Sequence, residues 1–176
     1  MNNKLHKAPY PIIDTDPIFS RVVRYFRWSD YAIAAGFTAF GPAMIEEEEA
    51  PSPTDDKFQK YQPTGNTGKP LIRAMKVSAG VTGMTGFLLA YQLVCMRFVG
   101  MTENSREIKK YRIEYAKLKA QGKPMHGVSS LPLSMQRTAA AYSTWAFLNF
   151  DVFPMFNFVN HPYHGQSEGV IPEEDR

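Results

Sequence analysis

Histidines are the first side chains whose type and spacing could perform chemistry. His161 and His164 stand three residues apart, a spacing that could present two imidazoles to one metal ion. The remaining two histidines, His6 and His126, are distant in sequence, and no thiolate lies near the pair. Two ligands make a poor metal site, so we expect these histidines to be structural and predict no metal site.

Acidic residues are the next candidates. The glutamates at residues 46–49 lack the ordered spacing of a calcium loop, and we expect them to lie in a solvated loop. Asp30 stands at the start of an uncharged run, where an ionisable residue at membrane depth would often be functional. A helix cap is the simpler interpretation, with Ser29 or Asp30 accepting hydrogen bonds from free backbone amides.

Motifs that would indicate an enzyme are absent from the sequence. It contains no phosphate loop, dinucleotide fingerprint, CxxC pair or nucleophile elbow. The single cysteine, Cys95, lies inside the longest apolar run, so no intrachain disulfide can form, and we expect a buried small hydrophobic residue there. We therefore predict no catalytic residue, no cofactor-binding residue and no cofactor.

Two apolar runs dominate the organisation of the 176-residue chain, of which 21% of residues are charged. Residues 77–96 carry no charge over 20 positions, which is the length of a membrane span. Residues 31–45 give only about 22 Å of helix against a hydrocarbon core of about 30 Å. Arg24, Arg27 and Trp28 could extend this first run by snorkelling and interfacial anchoring. The alternative is a buried helix of a soluble domain.

The remaining sequence divides around these runs. Pro9, Pro11 and Pro17 favour an extended start, with a short helix after Pro17. We predict an all-α membrane protein, a two-helix transmembrane hairpin with an extended N-terminal arm and a helical or irregular C-terminal arm. Its segments are an N-terminal arm (1–27), a first transmembrane helix (28–45), an acidic Pro-rich loop (46–70), a second transmembrane helix (71–97), a polar helix (98–123) and an aromatic C-terminal arm (124–176).

Small residues line one face of each run. Ser78, Thr82, Gly86 and Ala90 recur every four residues, a pattern that permits close helix approach. The first run has the same spacing at Ala35, Ala39 and Ala43. The two runs could pack together as a hairpin, or each stripe could dock on a partner's helix.

Charge asymmetry predicts an orientation. Residues 1–27 carry five Lys or Arg against two Asp, residues 46–70 carry three Lys against six acids, and residues 97–137 carry nine bases against three acids. The positive-inside rule then places both arms in one compartment and the loop in the other. Arg73 and Lys76, on the loop side of the second run, oppose this orientation.

The C-terminal half contains surfaces that need a partner. The polar helix, with Asn104 or Ser105 as its cap and Gly122 at its stop, could lie on a partner, lie on the membrane or be solvated. Residues 168–176 resemble a free acidic tail. The following aromatic side chains form no self-sufficient core, so we expect them to be buried against partner subunits: Trp145, Phe147, Phe153, Phe156 and Phe158. The net charge of +3 comes with no nucleic-acid motif, and nucleic acid is not expected as a partner.

A family resemblance rests on the N-terminal arm. The segments YPIIDTDP at residues 10–17, RVVRYFR at 21–27 and SDY at 29–31, with the Gly-Pro at 41–42, resemble the 21-kilodalton accessory subunit of mitochondrial complex I, known in fungi and plants. The resemblance implies a non-catalytic supernumerary subunit without a redox cofactor, which stabilises NADH:ubiquinone oxidoreductase. Its partners would be other complex I subunits, with membrane-arm core subunits expected, and the lipid bilayer.

The implied location is the mitochondrial inner membrane, with both termini in the matrix. Neither a secretory signal nor an Arg-rich presequence is recognisable at the start of the sequence, so targeting would use internal signals. One alternative is a membrane-anchored assembly factor that binds intermediates of a respiratory complex and then leaves. A membrane-bound enzyme is a third class, and no group of residues recommends it.

Overall fold

The computed structural model describes residues 8–49, 68–144, 156–167 and 170–171. Within these ranges the chain forms helices joined by irregular segments and contains no strand, which confirms the all-α class. In chain order the helices are α1 (Phe19–Arg24), α2 (Trp28–Glu49), α3 (Gly68–Phe98), α4 (Ser105–Ala120) and α5 (Leu133–Ser143).

The chain divides into two compact units. The first, called here the terminal unit, combines Met1–Phe26 with Tyr91–Arg176, and therefore joins residues from both ends of the sequence. The second, called here the paired-helix unit, is Arg27–Ala90 and contains α2 with most of α3.

Helix boundaries differ from the predicted segments at the loop. α2 continues through residues 46–49, and α3 begins at Gly68 rather than at residue 71. Glutamate is a good helix former, so a run of four can extend a helix that has already been nucleated. Pro42 lies inside α2 without ending it. The rest of the predicted loop, residues 50–67, lies outside the described residues.

Glycines in the paired-helix unit let α2 and α3 approach closely. A Cβ atom on Gly86 would stand 2.6 Å from Phe37 Cβ, and one on Gly41 would stand 2.5 Å from both Ser78 Oγ and Thr82 Oγ1. The predicted stripe of α3 therefore faces α2 at Ser78, Thr82 and Gly86. The facing side of α2 is formed by other residues than the predicted alanine stripe, because Ala35, Ala39 and Ala43 are exposed.

One segment among the described residues, Leu71–Phe98, is a helix long and apolar enough to cross a membrane. This segment corresponds to the predicted second transmembrane helix, whereas the predicted first transmembrane helix (28–45), and with it the two-helix hairpin, is not confirmed by the same criterion. α2 nevertheless exposes large apolar side chains, including Trp28, Tyr31 and Phe40, each more than half accessible. Such side chains require either lipid or a partner surface.

Two single-residue interpretations in the helices are confirmed. Asp30 is fully buried, and its Oδ2 accepts a hydrogen bond of 2.7 Å from the backbone N–H of Arg27, the residue before α2. This is the contact that an acid at the third helical position makes in a capping box. Cys95 is a buried free thiol.

The N-terminal segment forms part of the core of the terminal unit. Ile12 and Ile13 are almost fully buried, although the prolines keep this segment irregular as predicted. Its backbone amides are satisfied by distant parts of the chain, since Tyr10 N–H donates to Gly100 O at 3.1 Å and Ile13 N–H donates to Phe98 O at 2.8 Å. The arm is therefore an integral packed element.

A tight turn after α3 contacts the N-terminal segment. Gly100 has a φ of +73°, and a Cβ atom there would stand 2.2 Å from Tyr10 O. Asn104 then donates from Nδ2 to Pro11 O and to Arg97 O, both at 2.7 Å. The predicted polar helix follows as α4 and is confirmed, with the buried ring of Tyr111 on its inner face.

The C-terminal aromatics are partly covered within the chain itself. Phe156 packs against Phe19 and Tyr91, with ring centroids 5.1 and 4.8 Å apart, whereas Phe158 remains 58% exposed. The other predicted anchors, Trp145, Phe147 and Phe153, lie outside the described residues. The prediction of a free tail is wrong at Val170, which is buried and accepts a hydrogen bond from Arg112 Nε at 3.2 Å.

Candidate functional site

Three of the four histidines stack in the terminal unit. The ring centroids of His126 and His164 are 3.7 Å apart, with 12° between the ring planes. The ring of His161 also stacks on that of His164, with 4.6 Å between centroids and 17° between planes. Acidic and basic side chains from the N-terminal segment surround the rings. The group, called here the histidine cluster, consists of Asp14, Asp16, Arg21, His126, His161 and His164.

Local sequence fixes the acidic half of the cluster. Asp14 and Asp16 lie between Pro11 and Pro17, and Asp14 Oδ1 accepts a hydrogen bond of 2.9 Å from the Asp16 backbone N–H, as in an Asx turn. Two reciprocal bonds then join this turn to the C-terminal segment. Thr15 N–H donates to Gly165 O at 3.1 Å, and Gly165 N–H donates to Thr15 Oγ1 at 2.8 Å. The backbone thereby places His164 beside Asp14.

Asp14 is the most enclosed charge of the cluster, with no exposed side-chain surface. His164 Nδ1 lies 2.7 Å from its Oδ1, while Arg21 Nη1 and His126 Nδ1 lie 3.6 and 3.7 Å from its Oδ2. Burial opposes ionisation of this carboxyl group, but the hydrogen bond and charge of His164, with the charge of His126, lower its pKa below the ordinary value of 3.8.

Asp16 forms a second carboxylate–imidazole pair. His161 Nε2 donates to its Oδ2 at 2.8 Å, because His161 Nδ1 accepts from the Tyr163 N–H and so leaves the proton on Nε2. Asn157 Nδ2 donates to Oδ1 at 3.1 Å, and Ser143 Oγ also donates to this carboxylate. Burial nevertheless raises the pKa of Asp16 above its ordinary value.

Arg21 supplies the fixed positive charge. Its Nη1 lies 3.1 Å from His126 Nδ1, its Nη2 donates to Met125 O, and its guanidinium carbon lies 5.9 Å from the centroid of the Tyr111 ring. Burial lowers the pKa of His126 to about 4, although the charge of Asp14 opposes this shift. His126 is therefore neutral at physiological pH. Burial, with the charge of Asp14, raises the pKa of Tyr111 to about 12.

Two cluster atoms are buried without a hydrogen-bond partner: Asp14 Oδ2 and His164 Nε2. A cavity of about 430 Å³ adjoins the cluster, and its lining includes Arg21, Met125 and His126. Buried polar atoms are nearly always hydrogen bonded, so each exception requires an explanation. The His126 and His164 rings are stacked nearly parallel, so these histidines and Asp14 cannot converge on one metal ion. The arrangement can hold a proton between carboxylate and imidazole, or clamp three distant parts of the chain.

The sequence located part of this cluster. His161 and His164 were considered together, and the fold brings His126 to them, while His6 lies outside the described residues. Asp14, Asp16 and Arg21 were missed as site residues, although all three belong to the segments that carry the family resemblance. The Asp-Thr-Asp sequence between two prolines was the available signal, because acids in a rigid apolar segment are unusual.

Comparison with known proteins gives consistent matches along the chain. Residues 7–103 match the family model described as NADH-ubiquinone oxidoreductase complex I, 21 kDa subunit. Residues 110–168 match the model of the C-terminal part of the same 21 kDa subunit. The chain is also 40% identical, over 93% of its length, to the NADH-ubiquinone oxidoreductase 20.9 kDa subunit of Neurospora crassa, of which the match covers 81%.

Proposed function

The chain belongs to the family of the 21 kDa subunit of complex I, and from this premise we propose that it is a non-catalytic accessory subunit of NADH:ubiquinone oxidoreductase in the mitochondrial inner membrane. The observation that carries this function is the 40% identity to a complex I subunit over nearly the whole chain, which covers both units. Its role is to stabilise the assembled complex by contacts with neighbouring subunits, with membrane-arm core subunits as the expected partners.

Both helices of the paired-helix unit insert into the membrane. α3 contains the segment long and apolar enough to span. α2 has 22 residues, a length of about 33 Å, and its residues 31–45 carry no charge. Close packing at Gly41 and Gly86 supports joint insertion, because small residues permit helix contact inside a bilayer. The exposed apolar residues, such as Phe40 on α2 and Val81 on α3, would then contact lipid or partner helices.

Both termini lie in the matrix, and the loop between α2 and α3 lies in the intermembrane space. The support is the charge distribution, net positive in residues 1–27 and 97–137 and net negative in residues 46–70. Residues 1–27 and 97–137 contribute most of the terminal unit, so one compartment would contain that unit apart from the end of α3.

Cysteine labelling tests this topology, since the chain has a single natural cysteine. In a Cys95→Ser background, new cysteines at Ser52, Asn3 and Glu173 report on the loop and on the two ends. In mitoplasts, a membrane-impermeant maleimide should label only the loop position. All three should react after detergent treatment. Labelling of the ends with a protected loop would invert the topology, and labelling of loop and ends together would exclude two spans.

Native gel electrophoresis tests the function itself. A subunit comigrates with the full complex at steady state, whereas an assembly factor comigrates only with intermediates. We expect this chain, detected by a C-terminal tag, to comigrate with the band of the complete enzyme, which is identified by the NADH dehydrogenase activity of the complex. Its confinement to smaller bands would favour the assembly factor.

A further inference from the structure

We propose that the connection between α4 and α5, with the outer face of α5, forms a surface that binds the anionic phospholipids of the bilayer. The inference rests on the proposed function, because it requires α3 to span the membrane. The surface, called here the basic apolar patch, consists of residues that are all exposed: Lys117, Lys123, Val128, Leu131, Met135 and Tyr142.

Large apolar side chains are accessible over this part of the terminal unit. Val128 is 84% exposed, and Met135 and Tyr142 are 56% and 69% exposed. Leu131, Met135 and Tyr142 are spaced by four and seven residues, so they lie on one side of α5 and of the turn that leads into it. Ala140, the buried residue of α5, lies on the opposite side. A patch of this kind marks a surface that interacts with a membrane or with another protein.

Charge favours the membrane over a partner protein. Residues 115–150 contain four Lys or Arg and no acid. Lys123 and Val128 line the same cavity, so a base lies beside the most exposed apolar residue of the patch. Bases beside exposed apolar side chains are typical of a segment that lies in the interface of an anionic bilayer.

Glu114, the preceding acid in the sequence, does not cancel this positive charge. Its Oε1 lies 3.2 Å from Arg24 Nη1, and its Oε2 accepts a hydrogen bond of 2.7 Å from Tyr25 Oη. Its side chain is only 18% exposed, so the bases of the patch remain uncompensated at the surface.

The end of α3 places the terminal unit next to the bilayer. The segment able to cross a membrane runs to Phe98, and its residues 91–98 belong to the terminal unit, which buries Tyr91 and Val94. Asn104 Nδ2 donates to Arg97 O at 2.7 Å, so the start of α4 is fixed against the end of α3. A unit that surrounds the end of a membrane helix lies at the bilayer surface, where an anionic leaflet is the nearest charged surface.

Fluorescence quenching of the full chain in vesicles tests the proposal. In a Cys95→Ser background, Met135→Cys carries a bimane probe, since position 135 is exposed. The chain is reconstituted in vesicles of phosphatidylcholine alone or of phosphatidylcholine and phosphatidylglycerol in equal parts, each containing brominated lipid. We expect the lipid to quench the probe more strongly in the mixed vesicles. Salt at about 1 M, where the Debye length is about 3 Å, should reduce this difference.

A pair of substitutions at one exposed position separates electrostatic binding from structural damage. Val128→Glu and Val128→Gln remove the same apolar side chain, but only glutamate repels an anionic headgroup. In the mixed vesicles, Val128→Glu should therefore give weaker quenching than Val128→Gln, and the difference should shrink in phosphatidylcholine alone. Far-UV circular dichroism establishes that both variants are folded.

A second pair of variants tests the bases. Lys117→Gln combined with Lys123→Gln should lower the ratio of membrane-bound to released patch, read from the quenched fraction, about 25-fold, or roughly fivefold for each base. Arg73→Gln combined with Lys76→Gln is the matched control, because it removes two bases near the start of α3. The control should quench like the unsubstituted chain.

Flotation of each chain with the vesicles separates failure of insertion from failure of the patch. A chain that does not float with vesicles would contradict the proposed membrane insertion and this surface with it. An inserted chain whose probe is quenched by aqueous iodide, but not by brominated lipid, would overturn the surface alone and leave the patch to a partner subunit. Equal quenching of the two double variants, or of Val128→Glu and Val128→Gln in the mixed vesicles, would also overturn it.

Discussion

Individual polar residues in the terminal unit are buried because each has partners from distant parts of the chain. Asp16, 3% exposed, receives hydrogen bonds from His161, Asn157 and Ser143. Breaking a buried charge pair by removing one partner typically destabilises a protein by about 3–5 kcal/mol. The C-terminal segment therefore does more than cover the N-terminal arm, since it neutralises the acids that the arm carries.

Backbone geometry imposes an equally strict requirement at Gly100. We expect Gly100→Ala to lower the free energy of unfolding by at least about 3 kcal/mol, because a positive φ and a Cβ contact of 2.2 Å with Tyr10 O act together. Gly122→Ala is the matched control, with a φ of +64° and open space around the added Cβ. It should lose only about 1–2 kcal/mol. Thermal unfolding of the two full-length variants in detergent measures both effects, and equal melting temperatures would contradict the role of the Tyr10 contact.

At the scale of elements, the contact between α2 and α3 depends on glycine rather than on large side chains. Gly86 meets Phe37 and Ala34, and Gly41 meets Ser78 and Thr82. Several large apolar residues of the two helices, such as Phe40 on α2 and Val81 on α3, are exposed instead. This division of roles suits a helix pair in an apolar solvent, where close backbone packing holds the helices together and large apolar side chains face the surroundings.

Gly86→Leu should separate the helix pair and reduce retention of the subunit in complex I. A Cβ atom at position 86 would already stand 3.0 Å from Ala34 Cα, which belongs to the backbone and cannot rotate away. Gly80→Leu, on the same helix, is the control, because a Cβ atom at position 80 would meet nothing within 4 Å. The amount of each variant that comigrates with the complex on native gels gives the comparison. Equal retention of Gly86→Leu and Gly80→Leu would show that this contact is dispensable.

At the scale of the whole molecule, the two ends of the chain fold together in the terminal unit while the paired-helix unit forms from the middle. Ile12 N–H donates to Ser167 Oγ at 2.8 Å, and Ser167 N–H donates to Ile12 O at 2.9 Å. The N-terminal arm therefore cannot be ordered in this way without the C-terminal segment.

Truncation after Arg137 should leave a chain that still resists carbonate extraction from membranes but is lost from the complex. The helices of the paired-helix unit are retained, whereas Asp14 and Asp16 lose His164, His161 and Asn157. Truncation after Ile171 is the control, because it keeps every described contact of the C-terminal segment. Both chains would be expressed in cells that lack the native protein. Full recovery of the shorter chain with purified complex would contradict the prediction, as would its loss from the carbonate-resistant membrane fraction.

Much of this architecture is determined locally and could be predicted from the sequence. The uncharged run before Arg97 indicates a long apolar helix, the spacing of Ser78, Thr82 and Gly86 indicates a close helix contact, and the polar helix follows from its apolar stripe and Gly122 stop. Each of these patterns lies within a few helical turns, so it can be recognised in a short stretch of sequence. The family resemblance could likewise be recognised in the sequence, because it depends on short segments, most of them between residues 10 and 31.

Only the tertiary structure decided the histidine cluster. Asp14 and His164 are 150 positions apart, and no periodicity of the chain specifies that they meet. Their contact follows from the positive φ of Gly100, the bonds between Thr15 and Gly165, and the prolines that keep the arm extended. Local propensity fixes helices and turns, whereas the approach of distant segments depends on the burial and pairing of all of them at once, which a single sequence does not display.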